Sequence, residues 1–318
     1  MSLALLLLPN VLYLFAKLLG WLAGWRVPYR SFLWTAVGLV VLWWVMALYG
    51  FFIGRFRWEV KAWEYDSQAV PVAYDGYRIV QLSDIHSGGW RGHEQVFAEI
   101  VEQVNSLHPD LICFTGDLVD ISAEDMHSLT PYLQRLVAKD GIISIMGNHD
   151  YLPYARFASE RERRAAIDKV IAYERDTLRW TLLLNEHLIL RRGNDSIAIL
   201  GCENQSVGAH PVIQRGNLLR TMQGTDGMMR ILLTHDPSQW RAEVVRATDI
   251  PLTLSGHTHA MQMRLFGFTP SRWIYPECDG LYREDNQQLY VNIGLGGTMH
   301  MRIGANPEVT LLTLKRSK

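Results

Sequence analysis

Cysteine is scarce in this sequence, with three in 318 residues. Cys113, Cys202 and Cys278 are odd in number and follow no spacing, so they specify no disulfide framework, which leans toward a reducing compartment. None of them joins the polar motifs described below, which tells against a structural zinc site. Neither sign of charge dominates: 31 Lys and Arg against 32 Asp and Glu leave a net charge of -1. That balance excludes a nucleic-acid binder working by bulk electrostatics. Internal repeats and low-complexity tracts are also missing. The most telling absence is local. Residues 32–53 contain no charged side chain, and residues 3–25 are apolar apart from Asn10 and Lys17.

About twenty such residues cross a bilayer as a helix. The second segment carries Trp34, Trp43, Trp44 and Tyr49, and Arg55 and Arg57 follow it directly. Aromatic and arginine side chains at the ends of an apolar run suit the membrane interface. The first segment is interrupted by Pro9 and Lys17, and reads as a spanning helix, an interfacial helix or a signal-like core without the usual basic lead. Residues 1–57 are therefore expected to form a membrane anchor of one or two transmembrane helices, 58–75 a linker, and 76–318 a single large domain. Arg55, Arg57 and Lys61 slightly outweigh Arg26 and Arg30, so the positive-inside rule puts that domain on the cytoplasmic side of an inner or plasma membrane.

Within the large domain, apolar runs at 77–82, 111–114, 142–146, 231–233 and 251–254 read as buried strands. Polar clusters follow them: Asp84-Ile85-His86, Gly116-Asp117-Leu118-Val119-Asp120, Gly147-Asn148-His149-Asp150, Thr234-His235-Asp236 and Gly256-His257-Thr258-His259. Helical patterns at 94–107, 123–138, 155–178 and 237–247 fill the gaps, as a βαβ layout requires, and Arg192-Gly193-Asn194-Asp195 marks a hairpin turn. Open α/β sheets gather such strand-end groups into one crevice. Carboxylate and amide oxygens mixed with imidazole nitrogens suit Mn, Fe, Zn or Co rather than Ca. Seven candidate ligands are too many for one ion, whereas two ions sharing a carboxylate would use them all. Such pairs clamp the attacking and leaving oxygens of a phosphoryl displacement.

This set of motifs, over residues 77–315, resembles the calcineurin-like metallophosphoesterase superfamily. The resemblance implies an α/β fold, a four-layer α/β/β/α sandwich preceded here by the N-terminal transmembrane helices. It implies that Asp84, His86 and His259 hold one metal, that Asn148, His235 and His257 hold the other, and that Asp117 bridges. His149 would sit over the scissile phosphate and assist the leaving oxygen, with Asp120 hydrogen-bonding and orienting it. Asp150 reads equally well as a helix cap. Residues 289–297, Arg302 and Pro307-Glu308-Val309-Thr310 are similar to the membrane-associated branch that includes UDP-2,3-diacylglucosamine hydrolases. Ala260 departs from that branch, which usually has glycine after Gly-His-Thr-His.

The expected function is a membrane-anchored hydrolase with two divalent ions, Mn foremost. It would cleave a phosphodiester or pyrophosphate in an amphiphilic, lipid-linked substrate such as a UDP-diacylglucosamine. A tethered phosphodiesterase for soluble nucleotides and a non-enzymatic metal-binding scaffold are the alternatives. Arg302, Trp90 and Arg156 are candidate substrate contacts, Arg156 from an aromatic and basic stretch at 151–164.

Overall fold

Two helices stand apart from the rest of the chain. In this computed structural model, which describes residues 2–208 and 213–317, α1 (Ser2–Ala23) and α2 (Tyr29–Phe52) pack against each other as a hairpin. The Tyr29 hydroxyl donates to Asn10 Oδ1 at 2.9 Å, and Tyr13 packs its ring on Tyr29 and Phe32. Most of the remaining apolar surface of both helices is exposed, and each is long and apolar enough to cross a membrane. A short 3₁₀ turn, Gly54–Phe56, leads from α2 into the large domain.

That domain is built on two six-stranded sheets. The first has the order β1-β12-β2-β3-β4-β5 and the second β10-β11-β9-β8-β7-β6. The strands are β1 Glu59–Asp66, β2 Arg78–Leu82, β3 Leu111–Phe114, β4 Ile142–Ser144, β5 Thr181–Leu182, β6 Glu186–Arg192, β7 Asp195–Gly201, β8 Met229–Leu233, β9 Leu252–Ser255, β10 Gly280–Glu284, β11 Gln287–Val291 and β12 Glu308–Lys315. The layering follows from the period of two along each strand. On β2, Ile79 faces the second sheet while Val80 faces α3 (Glu94–Ser106), α4 (Thr130–Leu133) and α5 (Glu160–Ala172). On β8, Ile231 points between the sheets and Leu232 points outward, toward Trp240, Val244 and Leu218 of α6 (Leu218–Met222). The result is the expected α/β/β/α sandwich. With both faces of the central strands covered, their sequences read as unbroken apolar runs.

Three expectations need correction. Residues 58–75 are not a linker, because β1 pairs in parallel with β12 over eight positions, from Glu59↔Glu308 to Asp66↔Lys315. Its Glu-Val-Lys-Ala-Trp-Glu-Tyr-Asp sequence carries four charges, as an edge strand does to block further pairing. The helix expected over 123–138 is a 3₁₀ segment, Ala123–Leu129, with a capping box at Ser122, followed by the single turn of α4. The pattern over 237–247 closes into one wide turn, Trp240–Val244.

Candidate active site

The five polar motifs converge at the ends of β2, β3, β4, β8 and β9. Asp84 Oδ1 lies 3.4 Å from His259 Nε2, and that nitrogen lies 3.2 Å from His86 Nε2. Asp117 Oδ2 lies 3.7 Å from His86 Nε2 on one side and 3.1 Å from His235 Nε2 on the other. His257 Nδ1 is 3.3 Å from His235 Nε2 and 2.9 Å from Asn148 Oδ1. Two groups of donor atoms thus meet at one shared carboxylate oxygen. Spacings of 3 to 4 Å are those of ligands bound to a common ion about 2.0–2.2 Å away.

The donors are aimed by their own hydrogen bonds. Ser83 Oγ donates to Asp84 Oδ2 at 2.5 Å, and the His257 amide is shared between Oδ2 at 3.0 Å and Oδ1 at 3.2 Å, which turns Oδ1 toward His259. Asp117 Oδ1 accepts from the His149 amide at 2.8 Å, which leaves Oδ2 free. His235 Nδ1 donates to the Thr115 carbonyl at 2.7 Å, so its lone pair is on Nε2. Asp150 is wholly buried and caps no helix. It accepts from the amides of Asp117, Leu118, Val119 and Gly147, stapling the bridging loop to the loop that carries Asn148.

The backbone here is costly. Asp84, His86, Asp117, His257 and His259 all have φ between 46° and 75°. The left-handed region costs a non-glycine residue about 1–2 kcal/mol, and such strain concentrates at functional sites. The left-handed run continues beyond His259 through Ala260, Met261 and Gln262, with φ of 51°, 47° and 55°. Alanine therefore fits the turn where the related branch uses glycine, at the cost of strain. Gly256 cannot vary in this way: a Cβ there would fall 1.9 Å from Ser83 Oγ and 2.4 Å from Asp84 Oδ2.

The electrostatics show what charge the cluster favours. Against the cost of burial, His235, His149 and His86 hold the Asp117 carboxyl well below its ordinary range. Burial likewise opposes charging His235, yet Asp117 and Asp84 raise it to about 10. His86 is raised by Asp120, Asp117 and Asp84, again against burial. Burial, then His86 and Arg302, push His259 well below its ordinary value. Buried carboxylates this close together favour positive charge beside them. A set of oxygens and imidazoles in this state fits two borderline divalent ions.

His149 stands beside the cluster, with its ring edge-on to His86 at 4.7 Å and the exposed Tyr154 ring 4.8 Å away. The group orienting it is the Asp120 carbonyl, 2.5 Å from Nδ1, rather than the expected carboxylate. Asp120 Oδ1 lies 3.9 Å from His149 and 3.6 Å from His86 Nδ1. The substrate expectations fare differently. Arg302 is buried, and its guanidinium donates to the carbonyls of Ala305, Ile293, Gly294 and Gly296, so it braces the glycine loop. Trp90 is buried against Phe97 and donates Nε1 to the Ile85 carbonyl at 2.8 Å, supporting the Asp84–His86 turn from behind. Arg156 is exposed and makes no hydrogen bond among the described residues. Tyr275 was not anticipated; its hydroxyl meets His257 Nε2 at 2.8 Å.

The profile of the Calcineurin-like phosphoesterase family matches residues 77–261, well over half of the chain. The chain belongs to this family. A calcineurin-like phosphoesterase is a metal-dependent phosphoester hydrolase, and the family uses paired divalent ions. The chain is 30% identical over 264 residues to the uncharacterized metallophosphoesterase YkuE of Bacillus subtilis, covering 78% of this chain and 82% of that one. It is 30% identical over 305 residues to a transmembrane protein with metallophosphoesterase domain from Danio rerio, covering 90% of this chain and 64% of that protein. It is 27% identical over 280 residues to the UDP-2,3-diacylglucosamine pyrophosphatase LpxG of Chlamydia trachomatis, covering 74% and 83%. The N-terminal helices and the transmembrane relatives together point to a membrane-anchored phosphoesterase.

Proposed function

We propose that this phosphoesterase cleaves a phosphodiester or pyrophosphate bond in an amphiphilic, lipid-linked substrate, with its large domain on the cytoplasmic side of the membrane. The observation that carries the reading is the convergence of seven donor atoms, with Asp117 Oδ2 shared between two groups. Asp84, His86, His259 and Asp117 would hold one cation, and Asp117, Asn148, His235 and His257 the other, Mn being the first candidate. When bound, the pair supplies Lewis acidity toward phosphate oxygens and a water acidified toward neutral pH. The chain does the rest. The Asp120 carbonyl accepts from His149 Nδ1 and fixes the ring, which leaves Nε2 as the nitrogen that, when the ring is protonated, would give its proton to the leaving oxygen. Asp150 holds the bridging carboxylate in register, and the buried sheet ends exclude bulk water.

Two observations support a lipid-linked substrate. LpxG acts, by its name, on UDP-2,3-diacylglucosamine. The end of α2 also holds the loop behind Asp84: the Arg302 amide donates to the Gly50 carbonyl at 3.1 Å, and the Gly296 amide to the Asp84 carbonyl at 2.7 Å. A small cavity of about 20 Å³ at this junction is lined by Arg55 and Phe56 from the anchor side and by Trp90, Gly296 and His300 from the large domain. Purified full-length protein loaded with Mn should hydrolyse a UDP-acylglucosamine in detergent far faster than soluble nucleotide diesters. Equal rates on both would overturn the lipid-linked reading in favour of a tethered enzyme for soluble nucleotides.

A further inference from the structure

The loop at residues 261–274 leaves the metal crevice just after His259 and returns just before Tyr275. Its sequence contains two arginines and no carboxylate. Its tip is a two-residue turn in which the Leu265 and Phe268 amides each donate to the other's carbonyl at 2.9 Å. Phe266 and Gly267 occupy the central positions with φ of 51° and 79°. Such turns favour Asn-Gly because both residues are left-handed. A phenylalanine there is strained, and this one is fully exposed. Trp273 is 79% exposed and Ile274 54% exposed, and Leu265 and Phe268 are also open to solvent. A bulky apolar side chain placed where it costs both strain and exposure signals a contact beyond the chain.

The contacts of this loop say what covers it. Arg264 donates its amide to the Ile303 carbonyl at 2.7 Å, and the Ile303 amide donates to Gln262 at 2.9 Å. The Arg302 amide then donates to the carbonyl of Gly50, in the last turn of α2. The approach is so close that a Cβ on Gly54 would sit 2.1 Å from the Arg302 carbonyl oxygen. The loop is therefore fastened to the end of the anchor helix, where Phe51, Phe52 and Ile53 are themselves exposed.

We propose that this loop inserts into the bilayer surface beside α2, with Phe266 and Trp273 in the interfacial layer and Arg272 toward the headgroups. The proposal rests on membrane anchoring by α2. It makes the segment that carries His259 a direct contact between the lipid surface and the metal crevice.

Nitroxide labels test it in the full chain, reconstituted in bilayers of phosphatidylcholine mixed equally with phosphatidylglycerol. The native cysteines are buried, so single labels can be placed by Phe266→Cys, by Trp44→Cys within α2, and by Leu219→Cys on α6. The proposal expects the label at 266 to be shielded from a nickel chelate and open to oxygen, like the label at 44, while the label at 219 stays wet. A label at 266 as wet as that at 219, with 44 dry, overturns the loop insertion and leaves anchoring intact. Wet labels at both 44 and 266 overturn the anchoring as well. Phe266→Asn, which suits the turn, should retain the Tm of the parent or exceed it, separating loss of insertion from misfolding.

Discussion

The helical hairpin and the metal crevice break the ordinary rule of burial in opposite directions. In the hairpin, Trp21, Leu14 and Phe52 are more than 60% exposed. In the crevice, Asp84, His86 and His235 are completely buried. Neither arrangement is favourable in water alone. Exposed apolar helices need hydrocarbon around them, and buried carboxylates need compensating charge. The comparison teaches that each region is shaped for an occupant outside the polypeptide, and that the occupant can be read from what the chain leaves unsatisfied. It also predicts that the two regions respond to different insults.

The largest separation is expected from Asp117→Asn. It removes the carboxylate oxygen that lies between the two donor groups, so metal content should fall below two per chain and turnover to background, while membrane partition is unchanged. Metal analysis alongside a flotation assay checks this. His149→Ala should keep both metals and lower kcat by on the order of 10²–10⁴, the range of a positioned acid–base group. Asp150→Ala strands four buried amides, each worth about 1–3 kcal/mol when unsatisfied. A marked drop in Tm, together with weakened metal affinity, is the expected result. Ala260→Gly should act in the opposite sense, raising stability by about 1 kcal/mol through relief of a left-handed alanine. Smallest of all, Asn10→Leu removes the interhelical bond from Tyr29 and should cost about 0.6 kcal/mol of hairpin packing with no change in turnover. A loss of activity there would show that the hairpin and the crevice are coupled more tightly than this contrast allows.

The features most legible in the sequence were those with a single physical cause. Central strands such as β3 and β8 are apolar throughout because both faces are covered, and the motifs at their ends stand out against that background. β1 was obscured because an edge strand mixes charge with apolar residues. Arg302 looked like a phosphate grip because an arginine beside a glycine loop often is one; only coordinates reveal four carbonyls already using it. Asp120 was placed correctly beside His149, but its main-chain oxygen makes the bond, and sequence does not distinguish the two. Asp and His tolerate a left-handed backbone better than most residues, but residue type alone does not single out Asp84, His86 or His259 for it. Tyr275 is remote from every motif and finds His257 only through the return of the 261–274 loop.

The parallel pairing of β1 with β12 also has a mechanical side. β1 begins three residues after the 3₁₀ turn that ends the anchor, and it runs alongside β12 for its full length. A lateral tug from a flowing or bending membrane would travel along β1 and load the ladder in shear, so that its rungs resist together instead of opening one by one. The strand once taken for slack tether is a mooring line, and it would carry movement of the membrane to the sheet whose central strands β2, β3 and β4 end in the crevice.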